Sequence, residues 1–241
     1  MIKNKKILAI IPARSGSKGL LNKNIKILNK KPLIYWPIKA VKKSKYVDKA
    51  ILSTDSKKIQ KISLKYGIES PFLRPKKISL DKTPTFEVIK HAINFFSNQN
   101  TFFDYVVLLE PTSPLTTSDD IDTAIEKLHK NKKKADSIVS VSENVNQHPD
   151  FNVKVKKNGM LAKFITKQVK RRQDISKVFF FDGSLYISKT SSYLKNKTFF
   201  HNKTVAFVSP KWKSIEIDDI VDLICVEAIM KNLKKLNKVK K

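Results

Sequence analysis

Ile7-Leu8-Ala9-Ile10-Ile11-Pro12-Ala13-Arg14-Ser15-Gly16-Ser17-Lys18-Gly19-Leu20-Leu21-Asn22-Lys23-Asn24 is the stretch that decides how this chain is read. Its first five residues form a continuous aliphatic run, the pattern of a parallel strand buried on both faces. A polar loop follows, with two Gly, two Ser, one Arg and two Lys between Ala13 and Lys23. Glycine lets the backbone turn tightly and aim N–H groups at an anion. Arg14, Lys18 and Lys23 add positive charge to the same concavity, as a site that holds and cleaves a triphosphate requires. The spacing is not that of a GxxxxGK[ST] loop, and a Ser/Gly turn carrying solvated lysines is the other reading the residues leave open.

Working outward, strands and helices alternate. Leu33 to Val41 has apolar residues at helical spacing and ends in Lys42-Lys43, a favourable charge for a helix C-terminus. Lys49 to Ser53 reads as a strand. Asp55 reads as the cap of a helix from Ser56 to Tyr66 that stops at Gly67. Thr85 to Phe96 is a helix and Tyr105 to Leu109 a third buried strand, closed by Pro111-Thr112-Ser113-Pro114. Ser118-Asp119-Asp120 opens a helix to about His129, and Asp136 to Val141 is a fourth strand. This alternation predicts an α/β fold with a mostly parallel, doubly wound sheet. Ligands of such sheets bind beyond the carboxyl ends of the strands, which singles out the loops after Ile11, Ser53, Leu109 and Val141.

The pattern changes after Ser142. Phe151 to Phe164 alternates around Lys157-Asn158-Gly159, a β-hairpin signal. Lys167 to Asp174 is polar and basic, and Val178 to Ile187 is aromatic and strand-like. A short helix within Ser188 to Leu194, a strand from Thr204 to Ser209 and a closing helix from Asp218 to Leu236 complete the chain. With no linker between the two regions, residues 1–241 read as a single domain and roughly 148–187 as a hairpin region inserted in it.

The 241 residues are 41% hydrophobic, enough for a substantial core, and the lone Cys225 excludes an internal disulfide framework and a cysteine-based zinc cluster. No apolar run reaches membrane-spanning length, so a cytoplasmic protein with no membrane partner is expected. The net charge of +28 suggests a nucleic-acid partner, yet only four of the 49 Lys and Arg residues are Arg. Base readout and bidentate phosphate contacts favour Arg, so the lysines read as a solvated coat and no nucleic acid is expected. The four arginines, Arg14, Arg74, Arg171 and Arg172, mark places where the planar fork is needed. Cys225, Trp36 and Trp212 read as packing residues, and His91 and His129 as structural or exposed.

Pro12-Ala13-Arg14-Ser15-Gly16-Ser17-Lys18-Gly19, with Lys23-Asn24 following, resembles the nucleotide-binding signature of the acylneuraminate cytidylyltransferases, the CMP-sialic acid synthetases. The resemblance runs along nearly the whole chain. It takes in Leu52 to Asp55, Leu73-Arg74-Pro75, Asp81 to Thr85, Leu109 to Leu115, His148-Pro149, Arg172-Gln173, Asp182-Gly183, Tyr186-Ile187 and Ser214 to Asp218. It implies a Rossmann-like nucleotidyltransferase sheet with an inserted β-hairpin dimerisation region. It also implies a reaction in which a nonulosonic acid attacks the α-phosphate of CTP, giving a CMP-sugar for cell-surface polysaccharide and pyrophosphate.

The resemblance assigns Ala13, Arg14, Ser17, Lys18, Lys23, Asn24, Arg74 and Thr85 to the nucleotide. Arg14 and Lys23 meet the triphosphate, Asn24 the ribose or α-phosphate, Arg74 the cytosine and Thr85 the ribose. Glu110, His148, Arg172, Gln173, Asp182 and Tyr186 fall to the sugar, with Arg172 favoured for the substrate carboxylate. Arg14, Lys23 and Asp218 form the catalytic set. Glu216 and Asp218 would hold Mg2+ or Mn2+, since residues two apart in an extended segment share a side. A helix-capping role for Asp218 is the alternative. The implied partners are CTP, a nonulosonic acid and a second copy of the chain in a homodimer.

Four places depart from the family pattern. Glu110 stands where Gln is common, Asp182 where Asn is common, Glu216 where Asp is usual, and Phe179-Phe180-Phe181 replaces a segment that often carries an Arg. All four touch the sugar or metal half and leave the nucleotide half intact. The alternative functions are another sugar nucleotidyltransferase, such as a 3-deoxy-manno-octulosonate cytidylyltransferase, a member that binds nucleotide without turnover, and a basic nucleic-acid-binding protein.

Overall fold

The computed structural model describes residues 4–17, 19–144, 148–164, 171 and 175–238. Ile7–Pro12 forms β1, and its alternating side chains feed two separate cores. Ile7, Ala9 and Ile11 join one cluster, Leu8 and Ile10 the other, as the period of two requires. After the loop come the two-residue strands β2 (Ile27–Leu28) and β3 (Lys31–Pro32), then α1 (Tyr35–Lys43). Next are β4 (Lys49–Ser53), α2 (Lys57–Lys65), α3 (Thr85–Ser97), β5 (Tyr105–Leu108), α4 (Ser118–Lys130) and β6 (Ser137–Glu143). Helices α1, α2 and α4 cover the Ile7 face, while α3 lays Ile89, Ala92, Ile93 and Phe96 on the Leu8 face.

Beyond β6 lie the antiparallel hairpin β7 (Val153–Val155) and β8 (Leu161–Lys163), the long β9 (Phe179–Lys189), α5 (Thr190–Asn196) and β10 (Thr204–Val208). Two helices end the described chain, α6 (Ile220–Lys231) and α7 (Leu233–Lys238). The six-stranded sheet has the order β10-β6-β9-β5-β1-β4. β1 runs parallel to β4 and β5, and β10 parallel to β6. β9 lies between β5 and β6 and is antiparallel to both. The reason is local. The chain leaves β6 at Glu143, makes the hairpin excursion and re-enters beside the same residue, with Glu143 opposite Phe179. The described residues of this connection hold no crossover helix that would return it to the other end of the sheet, and β9 runs backwards. The hairpin therefore stands at the carboxyl edge, where the loops after β1, β4 and β5 also gather.

Several end signals differ from the sequence reading. Ser56, not Asp55, caps α2, its hydroxyl accepting from the Ile59 N–H at 3.4 Å. Asp219, not Asp218, caps α6 through a capping box with Asp222. The single expected closing helix breaks at Asn232 into α6 and α7. Cys225 is exposed instead of packed in the core. α6 carries apolar residues around most of its circumference; Leu223 and Val226 are buried in the cluster formed with Leu28, Leu33, Leu115 and Ile217, and Ile229 and Met230 pack against it. No helix among the described residues is long and apolar enough to cross a membrane.

Candidate active site

The loop after β1 is held in shape by three anchors. The Ala13 N–H donates to the Ser53 carbonyl at 2.9 Å, tying the end of β1 to the end of β4. Asp55 accepts from both the Ser15 N–H and the Ser15 hydroxyl at 2.8 Å. Asn24, buried in a short 3-10 turn, donates its side-chain amide to the Arg14 carbonyl at 2.8 Å. Gly19 brings the loop against the late acidic segment: a Cβ there would lie 2.6 Å from the Asp218 carbonyl oxygen. Any side chain at Gly19 would push these walls apart.

The walls enclose an open cavity of about 240 Å³. Arg14, Ser17, Lys23 and Asn24 come from the loop, Arg74, Asp81, Thr83 and Thr85 from the segment before and into α3, Glu110 and Thr112 from the end of β5, and Asp218 from the chain entering α6. The cations have partners within the site. Arg14 contacts Asp81, and Lys23 Nζ lies 2.9 Å from Asp218 Oδ1. Arg74 is almost fully buried; its backbone N–H donates to the Thr54 carbonyl at 2.7 Å, and its side-chain Nε donates to the Ser79 hydroxyl at 3.1 Å. Burial lowers its pKa, and the charge of Asp55 works the other way. The result is a fixed guanidinium in a partly desolvated site, where a directed donor is worth more than in water.

Carboxyl groups crowd the opposite side. Burial, then the charge of Glu216, pushes Glu110 from 4.5 to about 7. Burial, then Asp218 and Asp182, pushes Glu216 to about 7 as well. Glu216 thus raises Glu110, while Glu216 itself is raised by Asp218 and Asp182. The Tyr186 hydroxyl is raised far above its usual range by burial and by the charges of Glu216, Glu110 and Asp182. Gly183, at φ +67°, makes room for this packing: a Cβ there would overlap the Glu216 carboxyl oxygen.

Arg14, Ser17, Lys23, Asn24, Arg74, Thr85, Glu110 and Asp218 thus meet at one cavity. Ala13 is buried behind it and acts through its backbone, while Glu216 and Tyr186 neighbour it electrostatically. Asp182 is not presented to a ligand. Its two oxygens accept from the Ser140, Ser142 and Ser184 hydroxyls and the Ser184 N–H, which ties β6 to β9. His148 is likewise spent on structure. Its Nδ1 accepts from the Asp150 N–H at 3.2 Å and its Nε2 lies 3.0 Å from the Ser176 carbonyl, pinning the entry of the insertion to its exit. Lys18, Arg172 and Gln173 lie outside the described residues. Sequence reasoning missed Asp55 and Asp81 as partners of the loop. Each acid stands on a segment that reading had already tied to the site, Leu52 to Asp55 and Asp81 to Thr85.

Comparison with known proteins agrees with this geometry. The family model described as cytidylyltransferase matches residues 8–235. The N-acylneuraminate cytidylyltransferase of Escherichia coli is 36% identical over 90% of this chain, and the chain spans 50% of that relative's length. The CMP-N,N'-diacetyllegionaminic acid synthase of Legionella pneumophila is 33% identical over 93% of this chain and 96% of its own. The pseudaminic acid cytidylyltransferase of Campylobacter jejuni is 33% identical over 90% of this chain and 93% of its own. Among solved structures, CMP:2-keto-3-deoxy-manno-octonic acid synthetase complexed with CTP superposes at a TM-score of 0.71, covering 94% of this chain and 99% of that one at 14% identity. That likeness is one of fold.

Proposed function

This chain belongs to the cytidylyltransferase family, and from that premise we propose that it transfers the cytidylyl group of CTP to a nonulosonic acid of the sialic, legionaminic or pseudaminic type. The observation that carries the reading is the convergence of Arg14, Lys23 and Arg74 on one cavity at the carboxyl ends of β1, β4 and β5. The sequence relatives named above activate acids of this group, whereas the octonic acid synthetase shares the fold alone.

In the proposed step the sugar hydroxyl attacks the α-phosphorus, the bond to the β-phosphate oxygen breaks, and pyrophosphate departs. Arg14 and Lys23 offset the charge that builds on the leaving group. Arg74, its Nε held by the Ser79 hydroxyl, presents its remaining guanidinium donors to the base. The attacking hydroxyl must lose a proton, and we assign its acceptance to Glu110, a carboxyl poised near working pH.

Glu216 and Asp218 supply hard oxygen donors beside the cavity, and their mutual repulsion suits a cation. No group of three such ligands occurs among the described residues. Two carboxylates fit Mg2+ or Mn2+, which completes its shell with phosphate oxygens and water. Bound there, the ion would neutralise charge on the transferring phosphate.

We further assign a homodimer. Val153, Val155, Met160, Leu161 and Phe164 of the hairpin and Phe179 to Phe181 of β9 are exposed, an apolar surface that a second insertion meeting the first would cover. We also assign the enzyme to the cytoplasm, a reading that rests on its use of CTP. The lysine coat is read as solvation, with Arg14 and Arg74 reserved for the cavity and no nucleic acid as partner.

A pyrophosphate-release assay tests the reading, using CTP, Mg2+ and N-acetylneuraminate, a legionaminic acid, a pseudaminic acid and 3-deoxy-manno-octulosonate in parallel. Turnover with one of the first three supports it. Turnover with octulosonate alone, or with none, overturns it.

A further inference from the structure

A second cavity, about 510 Å³, lies between α1, the start of α4, the turn at Lys211–Lys213 and the α6–α7 junction. It is separate from the nucleotide cavity, but one segment walls both: Pro111 and Thr112 face the first, and Pro114 to Asp120 face the second. Its volume is that of an ordinary small-molecule site.

The lining is chemically selective. Both tryptophans of the chain, Trp36 and Trp212, are on it. The Trp36 indole N–H is buried and has no hydrogen-bond partner among the described residues. Three lysines also line the cavity. Lys213 is buried and paired with Asp120, so its charge is met. Lys39 and Lys43 are exposed on α1, and the Lys39 amine lies 5.7 Å from the Trp36 ring centroid. Asp119, the other acid on the lining, sits in the first turn of α4, where the helix dipole offsets its charge.

An aromatic wall with the exposed ammonium groups of Lys39 and Lys43 at its edge is complementary to one kind of molecule. We infer that this cavity is a binding site for a small planar aromatic anion, its ring on the indoles and its phosphate or carboxylate at Lys39 and Lys43.

The two tryptophans give a direct readout, because every indole N–H signal in a 1H–15N spectrum arises from this cavity. The probe is 1-naphthyl phosphate, with uncharged 1-naphthol as its control, titrated into the whole protein with and without saturating CTP. A Trp212→Phe variant assigns the two signals. The inference expects the Trp36 indole signal to move saturably with the phosphate, equally in the presence of CTP, and far less with 1-naphthol. A Lys39→Ala/Lys43→Ala double variant, altered only on the exposed face of α1, should weaken binding about tenfold. No saturable movement up to about 10 mM probe overturns the site. Displacement by CTP overturns it too, by placing the probe in the nucleotide cavity, as does equal binding by 1-naphthol or by the double variant.

Discussion

Arg14 faces Asp81 across the nucleotide cavity, and the proposed function requires it to face a triphosphate instead. Asp81 is then a competitor of the substrate, and Asp81→Asn should tighten CTP binding. The size of the effect follows from exposure. Each side chain of the pair is 34% exposed, so the attraction is screened. Pairs of this kind contribute roughly 0.2–1 kcal/mol, which sets the gain in affinity at about 1.4- to 5-fold. Removing Arg14 acts in the opposite direction and more strongly. A charge-assisted hydrogen bond contributes roughly 1.5–3 kcal/mol, so Arg14→Ala should weaken CTP by about 10- to 150-fold. Titration calorimetry with CTP and no sugar acid measures both, since no turnover occurs without the acceptor. Raising ionic strength should shrink the Asp81→Asn gain as the pair is screened further. A fivefold or greater loss of affinity in Asp81→Asn would refute the reasoning, for Asp81 would then be ordering the loop for the nucleotide and not opposing it. Unchanged affinity in Arg14→Ala would remove the triphosphate from this end of the cavity altogether.

Three further outcomes are expected. Glu110 is raised from 4.5 to about 7 in the fold, so the folded state holds the extra proton and wild-type stability falls as pH rises through that window; Glu110→Gln should therefore gain on wild type by up to a few kcal/mol between pH 5 and pH 8 in denaturant titrations with chelator present, and a constant difference would show that no such penalty exists. Turnover should vanish in excess EDTA and return with Mg2+ or Mn2+, and Asp218→Asn should lose more activity than Glu216→Gln; full activity in EDTA would exclude the metal, and equal tolerance of both variants would exclude these ligands. Light scattering should report a dimer, and mixing inactive Arg14→Ala with inactive Arg172→Ala under verified subunit exchange should restore activity toward about a quarter of wild type, given random pairing and one intact site in half the dimers; no recovery means Arg172 serves its own chain or no site.

Much of the sheet could be read from the sequence because its strands are buried on both faces. A strand such as Ile7 to Ile11 has no polar position to disguise it, and Lys49 to Ser53 ends where the structure ends β4. The direction of β9 could not be read, because Val178 to Ile187 has the same composition whether it runs with its neighbours or against them. That direction is set by the connection, a hairpin excursion whose described residues hold no crossover helix, and β9 runs antiparallel. The cap of α2 was misassigned, and that of α6 left open, for a related reason. Asp55-Ser56 and Asp218-Asp219 each offer two adjacent capping residues, and local sequence does not say which is drawn away by a distant partner. Ser15 takes Asp55, and Lys23 takes Asp218. In both cases the residue removed from capping is the one the site uses.

The same logic separates the acids that the sequence grouped together. Glu110, Asp182, Glu216 and Asp218 all looked like ligands of the sugar or the metal, because a carboxylate in a binding loop reads the same whatever surrounds it. Three hydroxyls and one backbone N–H saturate Asp182, which makes it a brace between β6 and β9. Asp218 lies at the surface with its side chain 74% exposed and one lysine beside it, leaving oxygen free for a cation. Glu110 and Glu216 fall between these limits, buried enough to resist ionisation, and the charge of Glu216 raises Glu110 further. The departure at 216 therefore bears on the one at 110: a shorter carboxylate at 216 would draw back from Glu110 and lower it. A chain that carries Glu at both holds two carboxyls raised to about 7 side by side, where an amide and a shorter acid would leave neither so placed.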